Sequence, residues 1–278
     1  MSLERRGGLV AREASADARP VPFRGGGFQA RPFRLIGPLV FAALITLWQL
    51  GSVSGVISPI ALPAPSQALA AFVDLVQSGT LWKHLGASLE RLVAGWVLGT
   101  VLGIGAGLSI GLFSLVRAGL LPLVSAIFPI PKIALLPLFV IWFGTGEGSK
   151  IATILFGSFF PTVIATYGGV DNVDRGLIRM GQSFDLSWLS IVRKIIIPGA
   201  LPAILSGFRI SVSISIVLLV AAEMIGARYG IGAYILEAGA LFATEQLIAG
   251  VVILSVLGLA IAWLISRIER RFLRWRLT

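Results

Sequence analysis

Charge vanishes from long stretches of the chain: Leu35 to Val73, Leu92 to Val116, Ala118 to Pro131 with Ile133 to Gly146, Ile151 to Val170, Ile210 to Ala222 and Gln246 to Ser266. Several of these runs reach the ~20 residues that a helix needs to cross a bilayer. The pattern predicts an all-α integral membrane protein with six transmembrane helices, over roughly 35–51, 86–112, 118–143, 150–169, 200–224 and 246–266. The third span carries "FPIPKIALLP", where Pro129, Pro131 and Pro137 each remove a backbone donor, so it should break at membrane depth. Short helices are expected outside the spans, one after Ser66 as a cap and one over "GAYILEAGALF".

Between the fourth and fifth runs lies a polar island, "IRMGQSFDLSWLSIVRKIIIP". Within it Leu177, Met180, Phe184, Trp188, Ile191 and Ile195 recur at helical spacing as one apolar stripe, interrupted by Arg179, Gln182, Ser183 and Asp185. Asp185 or Ser187 would cap a second short helix, giving a helix-turn-helix knob that ends at Pro198. Such a stripe suits either an amphipathic helix on the membrane surface or a knob for a soluble partner.

Composition agrees, with 56% hydrophobic and 13% charged residues against roughly a quarter charged in soluble proteins. The net charge of +10 would suit nucleic acid, but the basic residues crowd beside the apolar runs. They cluster in Arg5 to Arg34, Arg175 to Lys194 and Arg267 to Arg276. Six spans place all three clusters on one side, the positive-inside arrangement, and no nucleic-acid partner is expected. Both termini are then cytoplasmic, residues 1–34 form a basic disordered tail, and 35–278 form the transmembrane domain with a loop at 171–198. The basic start followed by an apolar run imitates a signal peptide, but reads better as an uncleaved first span. Cysteine is absent and His84 is the single histidine. Disulfides and thiolate or histidine-rich metal sites are therefore excluded.

Gly95, Gly99, Gly103, Gly107 and Gly111 keep an unbroken four-residue period and clear one helical face for close packing, within one chain or across a dimer. "GTGEGSKIA" imitates a phosphate loop but lacks the closing Gly-Lys-Ser/Thr and a preceding strand. It reads as a turn with snorkelling charges. Lys132, Arg209 and Glu223 sit within or at the edge of spans and are the candidates for a solute pathway, with snorkelling or helix-helix pairing the alternative for Arg209 and Glu223.

"LPAPS", "IPKIALLPLFVIWFGTGEGSKI", the island, "AEMIGARYGIG" and "RRFLRWR" resemble the permease subunits of bacterial ABC importers of the nitrate, sulfonate and taurine class. The resemblance implies a type I importer permease fold and makes the island the EAA loop. That pattern is Glu-Ala-Ala, three residues, Gly, nine residues and Ile-x-Leu-Pro. Laid on this chain it falls on Arg179, Met180 and Gly181, then Asp185, then Ile195 to Pro198, so spacing is kept while Arg179 reverses the usual charge. With Phe184, Ser187 and Trp188 these residues would form the cytoplasmic coupling helix. The implied complex has two permease copies, two cytoplasmic subunits that bind ATP and Mg, and an external binding protein that delivers a small solute, expected to be an organic or inorganic anion such as a sulfonate, taurine or nitrate. No cofactor or catalytic residue belongs to this chain. A standalone channel or secondary carrier is the alternative by composition. An intramembrane enzyme is weaker, because no paired carboxylates lie at the spans.

Overall fold

The computed structural model describes residues 35–273; the amino-terminal tail, Arg274 and Arg276 lie outside the described residues. All regular structure among the described residues is helical. The chain divides after Leu50. What is described of the first unit is the start of helix α1 (Ile36–Val53), an apolar helix long enough to span.

The second unit contains α2 (Pro65–Gln77), α3 (Thr80–Leu112), α4 (Ser114–Ile127), a 3₁₀ turn (Lys132–Leu135), α5 (Leu136–Phe143), α6 (Glu147–Asp171), α7 (Arg175–Ser183), α8 (Trp188–Ile191), a π turn (Val192–Ile196), α9 (Ile197–Met224), α10 (Ile231–Ala240) and α11 (Thr244–Phe272). α3, α6, the continuous helix Trp188–Met224 and α11 are long and apolar enough to cross a membrane, as is α1. α4 and the Lys132–Phe143 helix make a sixth crossing if counted as one span, bent by 92° at the proline-rich break. The bend follows from the missing donors of Pro129 and Pro131 and from Pro137, which the first turn of α5 accommodates.

α6 is the central helix of this unit. On one side the glycine period of α3 lies against it in parallel: a Cβ on Gly95, Gly99, Gly103, Gly107 or Gly111 would stand within 3 Å of Ile154, Ser158, Thr162, Thr166 or Val170 respectively. Both helices thus present a ridge of four-residue period, and the small residues all come from α3. The glycines therefore serve packing inside one chain. On its other side α6 meets α9 antiparallel, through Gly157 on Leu218, Gly207 on Ala165 and Gly169 on Ala203. Two buried hydroxyls of α6, those of Thr153 and Thr162, donate to the carbonyls of Ser149 and Ser158, while the buried Thr166 hydroxyl has no hydrogen-bond partner among the described residues.

Local details depart from expectation in two places. α2 is capped at Ala64 rather than Ser66, with Pro65 in its first turn and Gln67 Oε1 accepting from Ala64 N at 2.9 Å. α3 begins at Thr80, ahead of the expected 86, and so carries His84, Ser88 and Arg91 on one helical face.

Candidate functional site

The island folds into two helices, of which only the first stands alone. Asp174 caps α7 by accepting from Gly176 N at 2.7 Å. The chain then turns through Asp185, whose φ of 53° lies in the left-handed region. Asp tolerates that conformation better than most side chains, and the EAA pattern places glycine there. Ser187, not Asp185, caps α8. α8 does not stop at Pro198: one π turn leads into α9, and Trp188 to Met224 is a single helix of 37 residues. Pro198 lacks a donor and its ring would crowd the carbonyl four residues back. The wider turn, with Ile197 N bonded to Val192 O, relieves that conflict.

The apolar stripe consequently splits. Leu177, Met180, Phe184 and Trp188 are exposed, whereas Ile191 is buried and Ile195 half-buried against Gly181, where a Cβ would meet Ile195 Cδ1 at 2.9 Å. Phe184 is 75% exposed and Trp188 55%, and the Trp188 ring packs on Phe113 at the end of α3, 5.7 Å between centroids. Arg175, Arg179, Arg193 and Lys194 are all exposed around this apolar surface.

At the opposite end of the helices the structure assembles a polar node from separate segments. Glu223, at the end of α9, has a fully buried side chain and accepts from Ser88 Oγ at 2.7 Å, Arg91 Nη1 at 2.8 Å and Gly232 N at 2.9 Å. Arg91 Nη1 also donates to Tyr229 O at 2.6 Å. Its Nε and Nη2 both donate to the carboxylate of Glu147, the latter at 2.7 Å. Ile231 N donates to Ser88 Oγ at 2.9 Å and His84 Nδ1 lies 2.8 Å from Gly230 O, which ties the start of α10 to α3. Gly230, with φ 142°, must be glycine: a Cβ there would strike the Glu223 carboxylate at 2.4 Å. Lys150 is buried below, donating to Thr145 O and Gly146 O at 2.7 and 2.9 Å.

The segment "GTGEGSKIA" is therefore not a turn of snorkelling charges. Its Lys150 closes the loop beneath α6 and its Glu147 reaches across to α3. In sequence Arg91 stands immediately before the charge-free run that opens at Leu92 and reads as its flank. The available signal was an arginine on the same helical face as His84 and Ser88, but its partners lie 56 and 132 residues away.

Of the expected pathway residues, Glu223 is wholly engaged in this node. Arg209 lies toward the other end, pairing with Glu269 of α11 at 2.6 Å. Glu223 is closed to a solute in this structure, whereas the Arg209 side chain stays half exposed beside its partner. Lys132 differs: half-buried in the bend, it donates to the carbonyl of Phe128 and stands 5.0 and 5.4 Å from the rings of Phe128 and Phe160. No carboxylate pairs with it among the described residues.

Comparison with known proteins follows the same lines. Residues 99–274 match the family described as the binding-protein-dependent transport system inner membrane component. A putative aliphatic sulfonates transport permease protein of Bacillus subtilis is 36% identical over 240 residues, 86% of this chain and 87% of that protein. A taurine transport system permease protein of Escherichia coli is 36% identical over 239 residues, 84% of this chain and 87% of that protein. In fold, the chain resembles a methionine ABC transporter crystallised in inward-facing conformations, with a TM-score of 0.59 at 21% identity over 70% of this chain and 98% of that one. An amino acid ABC transporter gives a TM-score of 0.53 at 18% identity, over 73% and 97% of the two chains.

Proposed function

Since the chain belongs to the family of inner membrane components of binding-protein-dependent transport systems, and is thus the transmembrane subunit of an ABC importer, we propose that it pairs with a second copy of itself to carry a small sulfonate-class anion. ATP hydrolysis belongs to a separate ATPase subunit. This membership also answers the alternative of a standalone carrier. In our reading two ATPase subunits, holding ATP and Mg, dock on the exposed surface of Leu177, Met180, Phe184 and Trp188, and Arg179, Gly181, Asp185 and Ser187 shape that contact.

The observation that carries the coupling reading is the continuity of Trp188 to Met224. At 1.5 Å per residue that helix is about 55 Å long. A displacement of the docked knob is transmitted along it to the Glu223 node without passing through a flexible joint, in keeping with rigid-body switching. The exposed bases Arg175, Arg179, Arg193, Lys194, Arg270 and Arg271 lie at the knob end and outnumber Lys83 and Arg228, which are exposed at the other. That asymmetry supports a cytoplasmic knob, cytoplasmic termini and an outward-facing Glu223 end. The named transport of aliphatic sulfonates and taurine by the two relatives supports the solute class. Lys132 in the broken span, which meets no carboxylate among the described residues, suits an anion in the pathway.

The test is reconstitution of the permease with its ATPase in proteoliposomes, supplied with the binding protein. Uptake of labelled taurine or an alkanesulfonate should require both ATP and the binding protein. Uptake that persists without ATP would refute the importer reading, and ATP-driven uptake of nitrate alone would refute the sulfonate assignment.

A further inference from the structure

We propose that Arg91 is an anion subsite whose place is held, in this conformation, by the carboxylate of Glu147, so that the charged head of the solute is received there once Glu147 swings aside. The proposal rests on the importer reading above and deepens it by naming where the anion is recognised.

The two edges of the Arg91 guanidinium have different partners. The Nη1 edge is fixed from inside the fold, by Glu223 and by the carbonyl of Tyr229. The Nε and Nη2 edge is a fork whose two hydrogen bonds both go to one carboxylate, that of Glu147. Arg91 is 5% exposed and Glu147 61%. The arginine is thus anchored and shielded, and the carboxylate covering its fork faces outward. An arginine fork pairs with any group that offers two oxygens at carboxylate spacing, and a sulfonate does so as well as a carboxylate.

Charge sets what must replace Glu147. With it gone, Arg91 and Lys150 face the single carboxylate of Glu223, and the site holds an uncompensated positive charge. A buried charge without a counter-ion is costly, so the fork takes an oxyanion and discriminates against a neutral solute of the same shape. The chain around Glu147 permits the exchange. It follows Gly144, which has φ 75°, and Gly146, and neither glycine has a neighbour within 4 Å of an added Cβ. Glu147 is also the first residue of α6, whose free first-turn amides favour an anion beside them. Arg91 stays in register when the carboxylate leaves, because its inner edge keeps both partners.

The permease–ATPase complex in lipid nanodiscs, without binding protein, provides the test. Its melting temperature is measured against methanesulfonate and against neutral methanesulfonamide at constant ionic strength. Glu147→Gln should be stabilised by methanesulfonate in a concentration-dependent way and not by the sulfonamide. The wild type should need at least about tenfold more methanesulfonate, because its own carboxylate competes, and adding Arg91→Gln to Glu147→Gln should abolish the response. Equal response to the two probes, or a response that survives Arg91→Gln, would overturn the subsite. If Glu147→Gln does not assemble, Glu147→Asp, which keeps the charge but shortens the reach, is read in the same way. Sulfonate uptake by the complete importer with no methanesulfonate response in either variant sinks the subsite alone. A response without sulfonate uptake leaves the subsite and removes the solute assignment.

Discussion

Adding one methyl group to the α3–α6 seam should separate two helices that the rest of the bundle depends on. In Gly99→Ala the new Cβ would stand 2.1 Å from Ser158 Oγ and 2.5 Å from Leu155 O. Ser158 can rotate, but Leu155 O is backbone, and an ordinary carbon–oxygen contact needs ~3.3 Å. The helices must therefore part locally by nearly 1 Å, loosening the contacts of Gly95 and Gly103 on either side. Overpacking of this kind costs about 1–3 kcal/mol. The better helix propensity of alanine returns up to ~1 kcal/mol. The net expectation is a loss of about 1–2 kcal/mol. Gly105→Ala is the matched control: it adds the same methyl to the same helix with nothing within 4 Å, and should be neutral or slightly stabilising. Reversible unfolding in mixed micelles, with SDS as the denaturing detergent, compares the two directly. Equal stabilities for Gly99→Ala and Gly105→Ala would refute the seam as a close-packed contact.

Phe184→Ala should weaken recovery of the ATPase roughly thirtyfold, the equivalent of ~2 kcal/mol, with the permease as stable as before. Trp188→Ala should lower both recovery and permease stability, because its ring also packs on Phe113; the two variants are separated by copurification and melting of the isolated permease. Lys132→Ala should reduce uptake with ATPase binding intact, and partial activity in Lys132→Arg would show that charge matters more than shape; normal uptake in Lys132→Ala would remove it from the pathway. With no native cysteine in the way, cysteines at Ser78 and Glu237 should react with an impermeant thiol reagent in intact cells, and one at Ser183 only after the inner face is opened. Asp185→Gly should preserve coupling and stabilise the loop slightly, whereas Asp185→Val should cost about 1–2 kcal/mol at its left-handed φ, read as a drop in melting temperature and ATPase recovery.

The spans were legible in the sequence because burial in lipid is a property of each segment by itself: twenty apolar residues announce a crossing whatever surrounds them. The proline break was legible for the same reason, since a missing donor acts on its own helix, and so was the glycine period of α3, although its partner was not. What sequence could not show was any pairing across the chain. Arg91 looks in sequence like the flank of an apolar run, Glu147 and Lys150 like surface charges, and Glu223 like a pathway or helix-pairing residue whose partner is not written locally. Only the packing of α3, α6 and α9 brings them together and decides which charges are buried and satisfied. The island departs from its local pattern in one respect for a related reason. Helical spacing from Leu177 to Ile195 records which residues are apolar, but not which of them the fold covers: Ile191 and Ile195 pack in a cluster with Val173, Val192 and Ile196, while Phe184 and Trp188 stay outside. Local periodicity is set by side-chain chemistry over a few residues. The compensation of buried charge and the covering of an apolar residue are set by contacts among segments distant in sequence, and those exist only once the helices have packed.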